Sequence, residues 1–455
     1  MEEIAESPPN RSRLNQSTPN GWQRVEPGLR WGAAIIIAGI VLIKWMNIIR
    51  SPRGDFLNHY LFGQRFLSGE FIYSHGLNIP YPPFWAMAHA PLTFMPVGLA
   101  QSLVYILGPL SLVAVIGIVR SLSQSGADDR HLWWWGAVLT FLVSSRYILR
   151  DFDEAGPNLT LLALAWGGIW FWSRKRETIG SLSLGLAIAL KCTSAIFVLY
   201  FLWKREWKMA LVSVAASLLF TLSPILVMGP ARYAEHLRVW LTNLQGASGI
   251  HDPMRGLLGD EPVANKSLRP AIGRFLVHLP EGHLARYDHP AYVDFLDLSP
   301  GSAHRVTQMA IVVLVGLVFW SIRGRVKERR SIDVAYECAA VSVLALLVSP
   351  ITWGQHCVAT VPAVLLFFHR CLKGSSISRI MIVLAACYAT IVMFVNRTFF
   401  GKDLSLVLET YHLVTWSLVI LLWVTLRLKN EEARSVDQKT TRSISPRPSP
   451  LERVA

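Results

Sequence analysis

Charge is what this chain has least of. Only 16% of its 455 residues are Asp, Glu, Lys or Arg, against 52% hydrophobic, and the mean hydropathy is +0.37. Apolar runs of about 20 residues recur along it, the length that crosses a ~30 Å hydrocarbon core. That argues against a soluble protein and for a polytopic all-α membrane protein. Cysteine is scarce as well. The five present (Cys192, Cys338, Cys357, Cys371, Cys387) include no CxxC pair and no even-numbered set, so they read as buried small hydrophobes rather than disulfides or metal ligands. Acidic residues are fewer than basic ones, 30 against 44, and the net charge of +14 invites a nucleic-acid reading. The basic residues, however, lie in short clusters between apolar runs: Arg174-Lys175-Arg176, Lys204-Arg205, and Arg323 to Arg330. Membrane topology explains that pattern, and no nucleic-acid partner is expected.

What is abundant fits the same picture. Of the 17 tryptophans, several sit at the ends of apolar runs (Trp31, Trp133 to Trp135, Trp203, Trp207), as interfacial belts require. Spans are expected near 31–49, 97–119, 132–149, 157–172, 208–228, 305–322, 333–350, 356–371, 379–396 and 406–427. The stretch 179–203 carries Lys191 at its centre. A single crossing there would put a charge at mid-bilayer and Arg323 to Arg330 on the wrong side. Two half-helices meeting at Lys191 and returning to the same side remove both conflicts. The expectation is about ten to twelve membrane helices with such re-entrant half-helices, plus outward-facing amphipathic loop helices. Residues 1–30 and 428–455 read as disordered cytoplasmic tails, the first span as an uncleaved signal anchor, and 31–427 as one membrane domain. Its outer loops are 50–96 and 229–304, with short outer turns at 150–154 and 349–356. There is no internal repeat, and the inverted pairs of broken segments found in secondary transporters are missing.

The polar residues at the outward face are the candidates for chemistry. Asp55 follows Pro52 and Gly54 at the start of a helical pattern that Gly69 closes. It reads both as a helix N-cap and as a general base at the membrane surface, roles that are compatible. Arg53, Arg65, Arg150 and Lys191 are cations available to a leaving phosphate, and Arg53 and Arg65 read equally as solvated or headgroup-facing charges. An intramembrane lysine such as Lys191 is either functional or snorkelling. His356, after Trp353 and Gln355, and Asn158, after Gly156-Pro157, also have ordinary structural readings. The histidines of 229–304 lack tight ligand spacing, so no metal site is expected. Asn265-Lys266-Ser267 fits a glycosylation sequon.

Taken in order, these pieces resemble the GT-C fold glycosyltransferases, specifically glycosyltransferase family 87 (DUF2029), from about residue 30 to 425. The family's opening pattern looks like Asp55, Tyr60, Gly69, Tyr73 and Tyr81-Pro82-Pro83. Its Gly-Gln-x-Asn helix start is matched by Gly156-Pro157-Asn158 without the Gln, and its Lys-Pro break by Lys191-Cys192 without the Pro. Its Asn-Gln-Ser-Leu motif resembles Asn265-Lys266-Ser267-Leu268, with Arg274 downstream. Its Ser-Pro-x-x-Trp-x-x-His turn is matched at Ser349-Pro350, Trp353 and His356.

The resemblance implies an inverting transferase that moves a sugar, most often mannose, from a polyprenyl-phosphate donor to a lipid or glycan acceptor. It needs no cofactor beyond that donor and works at the outer face of a bacterial inner membrane, with both termini cytoplasmic. Asp55 would be the base. His356, Lys191 and Arg274 would stabilise the departing phosphate. Tyr60, Tyr81 and Trp353 would offer faces to sugars, and Asn158, Asn265 and Ser267 would complete donor and acceptor binding. A lipid or lipid-linked-sugar transporter is the first alternative, and a scaffold that has lost activity the second.

Overall fold

The computed structural model describes residues 21–73, 81–124, 129–259, 263–283, 286, 292–375 and 377–444, with side chains described only between residues 25 and 432. All regular structure among them is helical. The chain divides into two compact units, Met1–Asn47 and Ile48–Ala455. The first is the body of α1 (Gly21–Arg50), whose apolar stretch Val25–Arg50 is long enough to cross a membrane.

The second unit opens with α2 (Asp55–Ser68) and α3 (Pro83–His89). Then come α4 (Val97–Leu122), α5 (Arg130–Asp153), α6 (Asn158–Ser173), α7 (Glu177–Leu190), α8 (Ile196–Trp203) and α9 (Trp207–Leu222). Four short or amphipathic helices follow: α10 (Ile225–Met228), α11 (Pro230–Ser248), α12 (Pro253–Leu258) and α13 (Leu268–Gly273). The chain ends with α14 (Pro300–Ser321), α15 (Ile332–Val348), α16 (Val361–Leu372), α17 (Arg379–Phe394), α18 (Arg397–Thr410) and α19 (Leu413–Ile444).

The stretch 179–203 does break at Lys191, which is extended (φ −155°, ψ 118°) between α7 and a 3₁₀ turn, Cys192–Ala195. Both ends of the hairpin lie together. Arg329 donates to Glu177, the first residue of α7, at 2.6 Å, and to Glu206, just after α8, also at 2.6 Å. Lys204 pairs with the buried Glu337 at 2.8 Å. The basic clusters therefore converge: Arg174 and Arg330 both reach Ser121. At the opposite end, α2, α3 and α11 share an aromatic core of Phe62, Phe66, Tyr73, Tyr81, Trp85 and Trp240. The buried positions of α2 (Phe56, His59, Phe62, Gly63, Phe66) recur at helical spacing, and Gly69 (φ 77°) ends the helix as expected.

Four expectations change. Among the described residues five helices are long and apolar enough to cross a membrane, or six if α17 and α18, bent by 99°, form one span. Helices α6, α15 and α16 have only 16, 17 and 12 residues, short of the ~20 that a full crossing needs. The span placed at 406–427 is interrupted at His412 (φ 51°), so α19 begins at Leu413. That helix continues beyond 427 to Ile444, with Arg370 paired to Glu431 and Glu432. The tail read at 428–455 is thus helical up to 444, and α1 likewise begins at Gly21 within the expected N-terminal tail. Residues 1–20 and 445–455 lie outside the described residues. All five cysteines are free, but Cys192, Cys371 and Cys387 are exposed rather than buried.

Candidate active site

Asp55 does not cap its own helix. The N-cap is Gly54 (φ 80°), with no side-chain cap, and Asp55 is the first helical residue. Glu154 does the capping: its Oε2 accepts from the Asp55 amide at 3.0 Å and its carbonyl from the Phe56 amide at 3.3 Å. A Cβ at position 54 would stand 2.5 Å from Glu154 Oε2, so only glycine permits this approach. The Asp55 carboxylate is left to Gln355, whose Nε2 donates to Oδ2 at 3.2 Å. A half-buried carboxylate with one amide donor keeps lone pairs for a substrate hydroxyl.

A second constellation surrounds Lys191. Its Nζ donates to Asn158 Oδ1 at 3.1 Å and lies 2.9 Å from His356 Nε2 and 5.4 Å from the centre of the Tyr81 ring. Asn158 is oriented in turn by Asp151, which accepts from its Nδ2 at 2.8 Å and from the Leu159 amide at 3.1 Å. A Cβ on Gly156 would fall 2.2 Å from Asp151 Oδ1. That gives the Gly-Pro-Asn sequence a physical meaning: glycine admits the carboxylate that fixes the asparagine. His356 is held from the other side, accepting at Nδ1 from the Trp353 amide at 3.1 Å. Tyr81 stacks on Trp85, with ring centres 4.2 Å apart. Beneath that stack, burial and the neighbouring His59 surround His89, whose pKa is pushed down to about 4 by burial.

Two cavities open on these groups. One of about 600 Å³ is lined mainly by apolar side chains of α7 to α9, α11, α14 and α15, with Lys191, His356 and Arg255 among its few polar ones. The other, about 560 Å³, is polar and is lined by Asp55, Arg146, Arg150, Glu154, Lys266, Trp353, Gln355, Arg397 and Glu409. Consecutive residues Gln355 and His356, in the 3₁₀ turn Gly354–Thr360, face different cavities. Among the described residues no three His, Cys, Asp or Glu side chains form a metal-holding group.

Asp55 and Trp353 thus line the polar cavity and Lys191 and His356 the apolar one, with Asn158 and the Tyr81 ring beside Lys191. Others of the expected set do not. The Tyr60 hydroxyl is tied to the Met95 carbonyl at 2.8 Å and its ring lines neither cavity. Asn265 staples the segment before α13 to the 349–356 turn, donating to the Pro350 carbonyl and accepting from the amides of Thr352 and Ser267. Ser267 is fully buried at the start of α13. The sequon Asn265-Lys266-Ser267 is thus closed to modification. Arg274 is fully buried, donates to the Thr410 carbonyl and lies 4.3 Å from the Tyr411 ring centre. It holds the end of α13 to the C-terminal helices and lines neither cavity. Of the other cations, Arg53 sits 4.0 Å from Asp153 and Arg65 donates to the Ile72 carbonyl.

Sequence reasoning missed Asp151, Glu154, Gln355, Lys266 and Arg255. One signal was present. Three carboxylates at the C-terminal end of α5, Asp151, Asp153 and Glu154, oppose the helix dipole, which marks them as serving something beyond that helix.

Residues 79–350 match Glycosyltransferase family 87, more than half of the chain and a region that includes Tyr81, Asn158 and Lys191. The chain belongs to glycosyltransferase family 87. Among curated relatives, a protein of Mycobacterium tuberculosis (strain ATCC 25618 / H37Rv) is 26% identical over 377 residues, covering 76% of this chain and 79% of the relative. It is named a polyprenol-phosphate-mannose-dependent alpha-(1-2)-phosphatidylinositol mannoside mannosyltransferase. A protein of the same name from Mycolicibacterium smegmatis is 23% identical over 363 residues (74% and 75%). A second M. smegmatis protein, named for the pentamannoside, is 24% identical over 374 residues, covering 79% of each. This family 87 member is thus a multi-pass membrane glycosyltransferase.

Proposed function

We propose that this chain transfers mannose from polyprenyl-phosphate-mannose to a hydroxyl of a lipid-linked acceptor, with inversion, at the outer face of the membrane. The observation that carries the reading is the pair of cavities meeting at Gln355-His356. The apolar one suits an isoprenoid and ends at Lys191; the polar one suits a sugar headgroup and ends at Asp55.

In this reading Asp55 takes the proton of the acceptor hydroxyl. That oxygen attacks the anomeric carbon while the bond from carbon to the phosphate oxygen breaks. The electron pair leaves on polyprenyl phosphate, a stable anion that needs cations more than a proton donor. Lys191, its ammonium fixed by Asn158, supplies that charge, and Arg255 supplies a second cation on the same cavity wall. Arg255 takes the place expected for Arg274. The outward orientation is supported by the convergence of Arg174, Lys204 and Arg329 at the end opposite the site, in keeping with the positive-inside rule. Both termini are then cytoplasmic and no cofactor is required beyond the donor. The relatives' names supply the mannose and the polyprenyl phosphate.

The test is incubation of the purified protein in nanodiscs with radiolabelled polyprenyl-phosphate-mannose and a membrane lipid extract. Labelled glycolipid from wild type and not from Asp55→Asn is the expected result. Equal product from both would remove Asp55 from the mechanism, and transport of the donor without turnover would replace the transferase by a transporter.

A further inference from the structure

The polar cavity holds more positive charge than the reaction needs. Arg146, Arg150, Lys266 and Arg397 line it, against Asp55, Glu154 and Glu409. Arg146 is neutralised by Glu409 at 3.2 Å. Glu154 is engaged with the start of α2, and Asp55 is the group that must stay free to take a proton. Lys266 is the most unusual of the four. The residue is only 7% exposed, and among the described residues its ammonium donates to the Val263 carbonyl at 2.8 Å. A buried ammonium with a backbone acceptor and, among the described residues, no carboxylate within ion-pair range is costly unless an anion completes it. Its backbone is fixed as well, with its amide donating to the Thr352 carbonyl at 2.6 Å and its carbonyl accepting from Thr415 at 3.0 Å. Arg150 and Arg397 reach the same cavity from α5 and α18 and are exposed. Lys266 also stands where the motif quoted above has glutamine.

We infer that the acceptor carries an anionic group, phosphate or carboxylate, on or next to the sugar that receives the new bond, and that Lys266, with Arg150 and Arg397, binds it. This rests on the acceptor role proposed for the polar cavity. A cavity of about 560 Å³ has room for a sugar and its neighbouring substituent, so the anion lies close to the reacting hydroxyl instead of at the far end of a long glycan. The lysine thus distinguishes charged from neutral acceptors, because a neutral headgroup would leave its ammonium buried and unpaired.

Binding to the full chain in nanodiscs tests this without requiring turnover. The probes are octyl β-glucuronide against octyl β-glucoside for a lipid-linked anion, and glucose 6-phosphate against glucose for a free one. Saturation-transfer NMR gives the affinities. The expected result is that each anionic probe binds about tenfold or more tightly than its neutral twin. That preference falls to near unity in Lys266→Gln. A larger preference in the octyl pair identifies a lipid headgroup as the source, and a larger one in the soluble pair a free sugar phosphate.

Equal binding of the charged and neutral twins in wild type overturns the inference, as does a preference that survives in Lys266→Gln. Inorganic phosphate displacing the probes as well as the sugar anions do would make this a bare phosphate site and also overturn it. If the melting curve shows Lys266→Gln to be unfolded, Arg150→Gln, which alters an exposed side chain, decides by the same ratio. Alkylation of Cys192, exposed on the apolar cavity, with and without polyprenyl phosphate reports donor binding separately. Loss of that protection would count against the donor reading, while the probe ratios still decide the acceptor's charge. Protection of Cys192 by octyl β-glucuronide would put the anion in the wrong cavity and overturn the inference.

Discussion

The two cavities differ little in size, about 600 and 560 Å³, and almost completely in lining. The apolar one is lined on one side by the broken α7–α8 pair, which brings Lys191 to it where helix gives way to extended backbone. The polar one is assembled from the ends of α2 and α5, the outer loop around Lys266, and α18. One can solvate an isoprenoid, the other a headgroup. The 3₁₀ turn at 354–360 separates them by the distance between neighbouring side chains. A transferase that joins a lipid-borne donor to a polar nucleophile needs this division, because one solvent environment cannot suit both substrates. It also teaches where to look for each kind of defect: donor defects along α7, α8 and α12, acceptor defects around Asp55 and Lys266.

That division can be broken experimentally. The largest effect is expected from Asp55→Asn, which should lower transfer by about 10²- to 10⁴-fold while polyprenyl phosphate still shields Cys192 from alkylation. Loss of shielding in that variant would mean the two cavities do not act separately. Lys191→Met should follow, with transfer down by about 10²- to 10³-fold and weaker shielding, the acceptor affinity unchanged in steady-state kinetics. A normal response to donor concentration would remove Lys191 from phosphate binding.

Arg255→Gln against Arg274→Gln sharpens the comparison. The first should raise the donor KM by roughly tenfold, the worth of one charge-assisted hydrogen bond. The second should lower stability by about 1–3 kcal/mol through lost buried contacts and leave both KM values alone. Reversed phenotypes would restore Arg274 to the site. The smallest effect concerns the aromatic layer. Burial holds His89 near 4 in the folded protein, against 6.5 when free, so the unfolded chain binds the proton more readily. Stability should therefore fall as pH drops from about 6.5 towards 4, and His89→Gln should flatten that part of the melting profile.

Much of this was legible in the sequence because it is written locally. The apolar runs, the charge stranded at Lys191 and the sidedness of the basic clusters together gave the hairpin, and Gly69 marked the end of α2. The 349–356 turn was visible as a motif. What stayed hidden depends on partners far away in the chain. That Glu154 rather than Asp55 supplies the cap is settled 99 residues from Asp55, and Gln355 reaches it from 300 residues away. Arg274 looked available as an outer-loop cation, since nothing in its neighbourhood announces burial against Tyr411. Lys266 looked like part of a surface sequon because the staple made by Asn265 closes onto a turn 85 residues on. The span expected at 406–427 failed for a related reason: composition cannot see a backbone reversal at His412.

The central claim is that donor and acceptor occupy separate cavities whose reactive ends meet at Gln355-His356. The most direct measurement is a cryo-EM structure of the Asp55→Asn protein in nanodiscs with polyprenyl-phosphate-mannose bound. The account predicts the isoprenoid among α8, α9 and α14, the phosphate within hydrogen-bonding reach of Lys191 Nζ, and the anomeric carbon facing position 55. A phosphate bound instead among Arg150, Lys266 and Arg397, or an isoprenoid outside the apolar cavity, would contradict it.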